Sequence, residues 1–157
     1  MTHCPSCGVV LDGKHPASPK ERSHEEHNLL FGMINEAYIS WPDRHPFQPD
    51  DAEHLRAWMQ IEINDCEEFE VPDILAADPR KVAQIGLFFC SGKRHFRMVN
   101  RGTQLIIKRP RTLNRSRSVE EFRVVSTLIM MLIEQSTGIT AESYKAHKEA
   151  QKRRAMA

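Results

Sequence analysis

Residues 118–138 are SVEEFRVVSTLIMMLIEQSTG, and this stretch decides the fold of the chain. Ser118 followed three residues later by Glu121 forms a capping box, in which each side chain satisfies a backbone N–H at the helix start. Gly138 is a residue type that commonly ends helices. Between these signals, five apolar residues recur at the spacing of one helix face: Phe122, Val125, Ile129, Leu132 and Ile133. The stretch therefore predicts a long amphipathic helix whose apolar face lies in the core.

Helix signals also lie on both sides of this stretch. The letters SHEE at residues 23–26 form a second capping box, which predicts a helix from about His24 to Trp41. The letters PDDAE predict another helix, with Asp50 as its N-cap. Thr140 caps a last, polar helix whose basic end we expect to fray. The chain therefore contains at least three amphipathic or polar helices in addition to any strands.

Strand signals lie between the second helix and the helix after Ser118. IGLFFC at 85–90 and TQLIIKRP at 103–110 are rich in β-formers, and FRMV at 96–99 alternates between them. The acidic residues 64–83 are predicted to be irregular, with a short helix around 79–85. Together these signals predict an α+β fold, in which three or four helices pack on a small antiparallel sheet.

Length and composition limit the classes of protein to which the chain can belong. With 157 residues and 40% hydrophobic residues, the chain suits one compact domain with a real core. No apolar run approaches the roughly 20 residues that cross a bilayer. The first residues, MTHCPSCGVV, lack the features of a secretory signal. We therefore expect a cytoplasmic protein without membrane contact, whose cysteines are thiols or metal ligands.

Charge is distributed unevenly, although the net charge is only +1. Residues 43–78 contain eleven acids and two bases, whereas residues 91–118 contain nine bases and no acid. Such a division suggests that one face of the protein meets a polyanion while another stays solvated. The alternative is that both runs are ordinary solvated faces.

The acid-free segment is the predicted nucleic-acid site. Arginine predominates there, and guanidinium groups both fork onto phosphates and stack on bases. Phe96 lies among the cations and either stacks on a base or belongs to the core. The residues that we predict to bind nucleic acid are Lys93, Arg94, Phe96, Arg97, Arg101, Lys108, Arg109, Arg111, Arg115 and Arg117.

The N-terminal residues 1–22 form a predicted appendage to the α+β domain of residues 23–157. The letters CPSCG at residues 4–8 have the spacing of a zinc knuckle. A structural zinc ion requires two further ligands, and two histidines three residues apart at a helix start could supply them. The predicted ligands are Cys4, Cys7, His24 and His27, with His3 or His15 as substitutes for either histidine. The alternative is a tail with two reduced thiols.

Signals for catalysis are weak. The sequence contains no Gly-rich phosphate loop, Gly-x-Ser-x-Gly or His-Glu-x-x-His motif. Asp50, Asp51, Glu53 and His54 lie close together, but helix capping and the helix dipole already account for the carboxylates. Cys66 lies among acids, which raise a thiol pKa and disfavour a thiolate nucleophile. We therefore predict that the protein is not an enzyme, with a metal-dependent nuclease as the alternative.

Two stretches near the start resemble phage recombination proteins of the NinB (Orf) type and related phage proteins of unassigned function. RSHEEHNLLFGMINEAY at 22–38 is similar to a family motif, although Glu26 stands where the family has Gln. The matching residues are Arg22, Ser23, His27, Leu30 and Phe31. FQPDDAEHLRAWM at 47–59 resembles the next family helix, which begins after an acidic cap.

The third similar stretch is RSRSVEEFRVVSTLIMMLIEQSTGI at 115–139, which matches through Ser118, Glu121, Phe122, Gly138 and Ile139. The resemblance extends over about residues 20–145, and the cysteine-bearing N-terminus and the acidic middle segment lie outside the family pattern. It implies a non-enzymatic, dimeric protein that engages single-stranded DNA. The family helps to load or replace other binding proteins during phage recombination.

These observations lead to one expected function and two alternatives. We expect a phage-type accessory protein that binds single-stranded DNA or junctions in the host cytoplasm and aids homologous recombination. Its partners would include host recombination or single-strand-binding proteins and a second copy of the chain. The first alternative is a phage inhibitor that binds a host protein, with the acidic run 62–78 mimicking nucleic acid. The second is the nuclease.

Overall fold

The computed structural model describes residues 19–72, 78–89, 95–113 and 117–157. Within these ranges the chain forms five helices and three strands, which confirms the predicted α+β class. The elements in chain order are α1 (Pro19–Ile39), α2 (Ala52–Glu62), β1 (Cys66–Val71), α3 (Pro79–Phe89), β2 (Arg97–Arg101), β3 (Gln104–Pro110), α4 (Val119–Thr137) and α5 (Ala141–Ala155).

Helix α4 has the boundaries that its sequence predicts. The Ser118 hydroxyl accepts the N–H of Glu121 at 3.2 Å, and Gly138 ends the helix in the left-handed conformation with φ 77°. Its apolar face joins residues of α1 and α2 in the main core, where Leu132 is half-buried. The most buried residues of this core are Leu30, Met33, Ile34, Leu55, Met59, Ile129 and Ile133.

The sheet is antiparallel with strand order β1-β3-β2. A second small cluster, built on Val71, Val82 and Ile107, packs α3 against one face of this sheet. Ile106 points to the other face and is also buried. That face also bears Arg97, which bonds Glu62 at the end of α2. The sheet is therefore covered on both sides at its centre, by α3 on one face and α2 on the other.

Two predicted helix starts are wrong. Helix α1 begins at Pro19, a residue suited to a first helical turn, so Ser23 lies inside the helix. Asp51 rather than Asp50 caps α2, because its side chain accepts the N–H of His54 at 2.7 Å. Helix α5 extends to Ala155, and its last turn contains Lys152, Arg153 and Arg154.

Two segments adopt a different structure from the predicted one. Residues 85–89 belong to α3, because Val82 and Ile85 are spaced to face the second cluster from a helix. Residues 66–71 form β1, although the acidic run was predicted to be irregular. In both cases tertiary packing decides the structure against the local propensity.

No single helix among the described residues is both long and apolar enough to cross a membrane. Helices α4 and α5 meet the criteria of length and composition only when they are taken together across a bend of 80°.

Candidate nucleic-acid interface

The sheet register places acids of β1 directly opposite cations of β3. Glu67 faces Arg109 and Glu68 faces Lys108. Directly opposed residues share a face of the sheet, so their side chains meet. Arg109 pairs with Glu67, and the Lys108 Nζ lies 3.6 Å from a Glu68 carboxylate oxygen. The cations of β3 are therefore matched with carboxylates from the neighbouring strand.

Strand β2 and helix α2 extend this pairing. Arg101 donates two hydrogen bonds of 3.0 Å to Glu68, which lower the pKa of that carboxyl below its ordinary value. Arg97 lies 2.6 Å from the Glu62 carboxylate. Arg109 also lies 5.0 Å above the Phe69 ring. Carboxylates that were predicted to lie on a separate face are thus paired with these cations on both faces of the sheet, with Arg109 and Glu67 on the face of Ile107 and the other pairs on the face of Ile106.

Asp65 and Arg117 form the most buried ion pair among the described residues. Their side chains are 7% and 9% exposed, and two hydrogen bonds of 2.5 and 2.8 Å join them. The Gln60 amide donates to Asp65 at 2.9 Å and to the Arg111 carbonyl at 2.6 Å. The Arg111 N–H in turn donates to the Asp65 carbonyl at 3.1 Å. This network joins the end of α2 to the chain that leads into α4.

The charge state of Asp65 follows from this environment. Burial acts to raise its pKa, but the hydrogen bonds from Arg117 and Gln60 outweigh burial and lower the pKa below the ordinary value. The Arg117 guanidinium is thus occupied by a nearly buried, charged carboxylate. Burial also raises the pKa of the Cys66 thiol, with Glu68 and Asp65 adding to the effect against the opposing Lys108. The predicted direction for Cys66 is correct, although burial is the larger cause.

The predicted nucleic-acid residues therefore have different environments. Five of the described cations, Arg97, Arg101, Lys108, Arg109 and Arg117, are paired with carboxylates. Arg111 is exposed, and among the described residues no carboxylate lies within ion-pair distance of it. Lys93, Arg94 and Arg115 lie outside the described residues. The expectation that acidic and basic runs occupy separate faces is wrong, because both runs contribute strands to one sheet.

Phe96 packs against the second core cluster, as one of its two interpretations predicts, and its role in base stacking stays a prediction. Its half-buried ring also lines a pocket of about 310 Å³ between α2 and the start of β2. Arg97, His95, Trp58 and Phe47 line the same pocket. Sequence reasoning missed this site because its residues come from three separate segments, and no local pattern joins them.

Helix α5 is the second cationic surface, and it differs from the sheet. None of its residues is buried, and Lys145, Lys148 and Lys152 recur at the spacing of one helix face. Lys148 lies 3.8 Å from Glu36. Four of its cations have no carboxylate within ion-pair distance in the described part of the chain: Lys145, Lys152, Arg153 and Arg154. The sequence signal that could have identified this surface is a polar helix without an apolar face.

A close contact holds α5 on α1. The Tyr144 ring lies against Gly32, where an added Cβ would be 2.1 Å from the tyrosine hydroxyl oxygen. Immediately before Tyr144, at the start of α5, Thr140 and Ser143 cap the helix reciprocally, with hydrogen bonds of 3.0 and 3.1 Å. The first turns of α5 are thereby fixed, and its basic end extends into solvent.

The predicted zinc ligands are only partly described. Cys4 and Cys7 lie outside the described residues, so the zinc site stays a prediction. His24 is exposed on α1, and the His27 ring lies 4.3 Å from Phe31, measured between centroids. Across residues 19–72, 78–89, 95–113 and 117–157, no group of three or more His, Cys, Asp or Glu could hold a metal ion.

The acids considered for a nuclease have structural contacts. Asp51 caps α2, Glu53 lies 2.8 Å from Arg56, and Asp50 lies 3.5 Å from His54. The capping role falls to Asp51 and not to Asp50, whereas Asp50 and Glu53 are held by His54 and Arg56. No family model, curated protein or solved structure matches this chain.

Proposed function

We propose that the protein binds single-stranded DNA, and that it is a phage-type accessory protein of homologous recombination acting in the host cytoplasm. The observation that carries the proposal is the cationic surface of α5, a helix without buried residues that carries five Lys and Arg residues. When DNA binds, protein cations replace the counterions that are condensed on its phosphates. A cation without a carboxylate partner can do so without first breaking an ion pair. Helix α5 is therefore the primary phosphate contact in this proposal, and Arg111 is a second one.

The paired cations of the sheet have a smaller part in the mechanism. A phosphate that approaches Arg101 or Arg109 also approaches the carboxylate bound to that guanidinium. The resulting repulsion offsets much of the attraction to the cation. We therefore expect the sheet to contribute weakly, and the affinity to depend mainly on α5.

The recombination role rests on the resemblance of residues 22–38, 47–59 and 115–139 to NinB-type proteins. That resemblance also supports a homodimer and an association with host recombination or single-strand-binding proteins. The preference for single strands over duplex is supported by the aromatic rings that line the pocket beside Arg97, since unpaired bases stack on such rings.

Fluorescence anisotropy with a labelled oligothymidylate, titrated at several salt concentrations, tests the proposal. The double variant Lys145→Gln with Lys152→Gln removes two predicted phosphate contacts. We expect its affinity at 0.1 M salt to fall by roughly tenfold, and the log–log salt slope to shrink by about 1.4.

The matched control is Arg80→Gln with Lys81→Gln, which removes two exposed cations from α3. This variant should retain the wild-type affinity. A wild-type protein that does not bind single-stranded DNA at low salt would overturn the proposal. An equal loss of affinity in the α5 variant and the α3 control would mean that α5 is not the primary phosphate contact.

An exposed apolar stripe on α4 favours a second candidate function, a phage inhibitor that binds a host protein. Val124, Leu128 and Met131 recur on one face of the helix and are 61%, 39% and 51% exposed. Exposed apolar patches of this kind commonly mark protein contacts. The acidic-mimicry mechanism is disfavoured, because the carboxylates of β1 are paired with cations of the sheet.

The two partners to be distinguished for this stripe are a second copy of the chain and a host protein. Light scattering detects the first, and a pull-down from nuclease-treated host lysate detects the second. A dimer that becomes monomeric with Leu128→Glu assigns the stripe to self-association. A host protein retained by monomeric wild type, but not by Leu128→Glu, supports inhibition.

A further inference from the structure

The pocket beside β2 has the size of a small ligand site. Its volume of about 310 Å³ is at the lower end of the roughly 300–1,000 Å³ typical of ligand pockets. Ala57 and Ile61 of α2 supply apolar, buried lining. Most of the remaining lining consists of flat rings and one ion pair. A site of this composition suits one planar ring better than an aliphatic chain.

The rings form two stacked pairs at nearly a right angle, and the outer face of each pair is a flat surface. Phe47 and Trp58 are stacked, with centroids 4.6 Å apart and planes 6° apart. His54 and His95 form a second stack, with centroids 5.1 Å apart and planes 16° apart. The Phe47 and His54 rings meet edge to face at 83°. A planar ligand can thus lie on one surface while its edge meets the other.

The segment that carries Phe47 is fixed to the helical core. The Trp41 indole N–H donates to the Phe47 carbonyl at 2.8 Å, and the Phe47 N–H donates to the His45 Nδ1 at 3.0 Å. Trp41 itself is buried and contacts Trp58 edge to face. The pocket wall is therefore largely formed before any ligand binds, which lowers the entropic cost of binding.

Polar groups at the pocket can recognise the edge of a ring. Glu62 and Arg97, 2.6 Å apart, place acceptor and donor groups side by side, and both side chains are partly exposed. Burial lowers the pKa of His95, with a further decrease from His54, so its imidazole is neutral near pH 7. A neutral imidazole offers one donor and one acceptor. Mixed donors and acceptors match the edge of a nucleobase, whereas a hydrocarbon ligand could form no hydrogen bond with them.

We propose that this pocket receives one nucleobase of single-stranded DNA, stacked on the Phe47–Trp58 surface with its edge toward Arg97 and Glu62. This inference rests on the proposed function and assigns the base contact to a site separate from the phosphate contact of α5. Purines stack over a larger area than pyrimidines and are the preferred occupants.

The test compares an oligodeoxyadenylate with an abasic oligonucleotide of the same length. Wild type should bind the oligodeoxyadenylate roughly tenfold more tightly, because stacking contributes only when a base is present. Phe47→Leu keeps apolar bulk but removes the flat ring, and it should reduce this ratio toward one. Phe69→Leu is the matched control outside the pocket and should leave the ratio unchanged. Urea unfolding of each variant verifies that it is folded.

The outcomes separate the pocket from the proposed function. If wild type binds both oligonucleotides equally, the pocket inference is wrong while DNA binding stands. If neither oligonucleotide binds, the proposed function is wrong. Binding to the pocket is then tested separately by titrating deoxyadenosine monophosphate and following tryptophan fluorescence. Quenching in wild type that is lost in Phe47→Leu supports the pocket, and an absence of quenching overturns it.

Discussion

The sheet and helix α5 are both rich in cations, but carboxylates accompany those of the sheet much more closely. The three strands contain four cations and three acids, and each of the four cations lies in an ion pair. Helix α5 contains five cations and two acids, and one cation pairs with Glu36. A basic run in a sequence therefore indicates a polyanion site only if no acidic strand pairs with it. In this protein β1 supplies such a strand, and nothing equivalent in the described residues covers α5.

The largest effect that we expect concerns the buried end of the sheet. Asp65→Ala removes one member of a pair whose side chains are almost fully buried, and leaves the Arg117 charge without compensation. Such changes cost about 3–5 kcal/mol of unfolding free energy. Urea unfolding measures this loss. Glu67→Ala, on the more exposed pair with Arg109, is the control and should cost less than about 1 kcal/mol.

Acid titration of stability gives a second check on the same pair. The pKa of Asp65 is lower in the folded protein than the unfolded value of about 3.9. Its contribution is therefore fully present above the unfolded pKa and is lost as the pH falls through the folded pKa. Asp65→Asn should show a shallower loss of stability in this acidic range. Equal acid slopes for wild type and variant would contradict the assignment.

A smaller effect is expected when the carboxylates of the sheet are neutralised. Glu67→Gln with Glu68→Gln removes the partners of Arg109, Arg101 and Lys108. Affinity for single-stranded DNA should rise about fivefold at 0.1 M salt, and the salt slope should become steeper. Glu120→Gln with Glu134→Gln, two exposed acids of α4, is the control. An unchanged slope in the sheet variant would mean that these cations do not become available to DNA.

The smallest effect concerns the attachment of α5. Gly32→Ala should gain about 0.5–1 kcal/mol of helix stability, but the new methyl group displaces Tyr144. In wild type these effects oppose each other. In a Tyr144→Ala background only the gain should remain. A double-mutant cycle by urea unfolding measures the difference, and additive changes would show that Gly32 and Tyr144 do not interact.

Local signals in the sequence predict some of these elements well. Ser118 and Gly138 delimit α4, and Thr140 starts α5, because capping depends on residues within one turn. The acid-rich β1 was missed because its stability comes from non-local partners on β3. The same non-local pairing explains why the predicted DNA segment contains cations that the fold already neutralises. Thr140 predicts the start of α5, but its packing on the core through Ala141 and Tyr144 depends on non-local contacts.

The most direct test of this account is the salt dependence of single-stranded DNA binding for Arg101→Gln with Arg109→Gln. Because Glu68 and Glu67 already neutralise these cations, we expect the log–log slope to equal that of wild type within error. A slope that falls by about 1.4, as expected for the α5 double variant, would contradict it. In that case the sheet would be the DNA-binding surface.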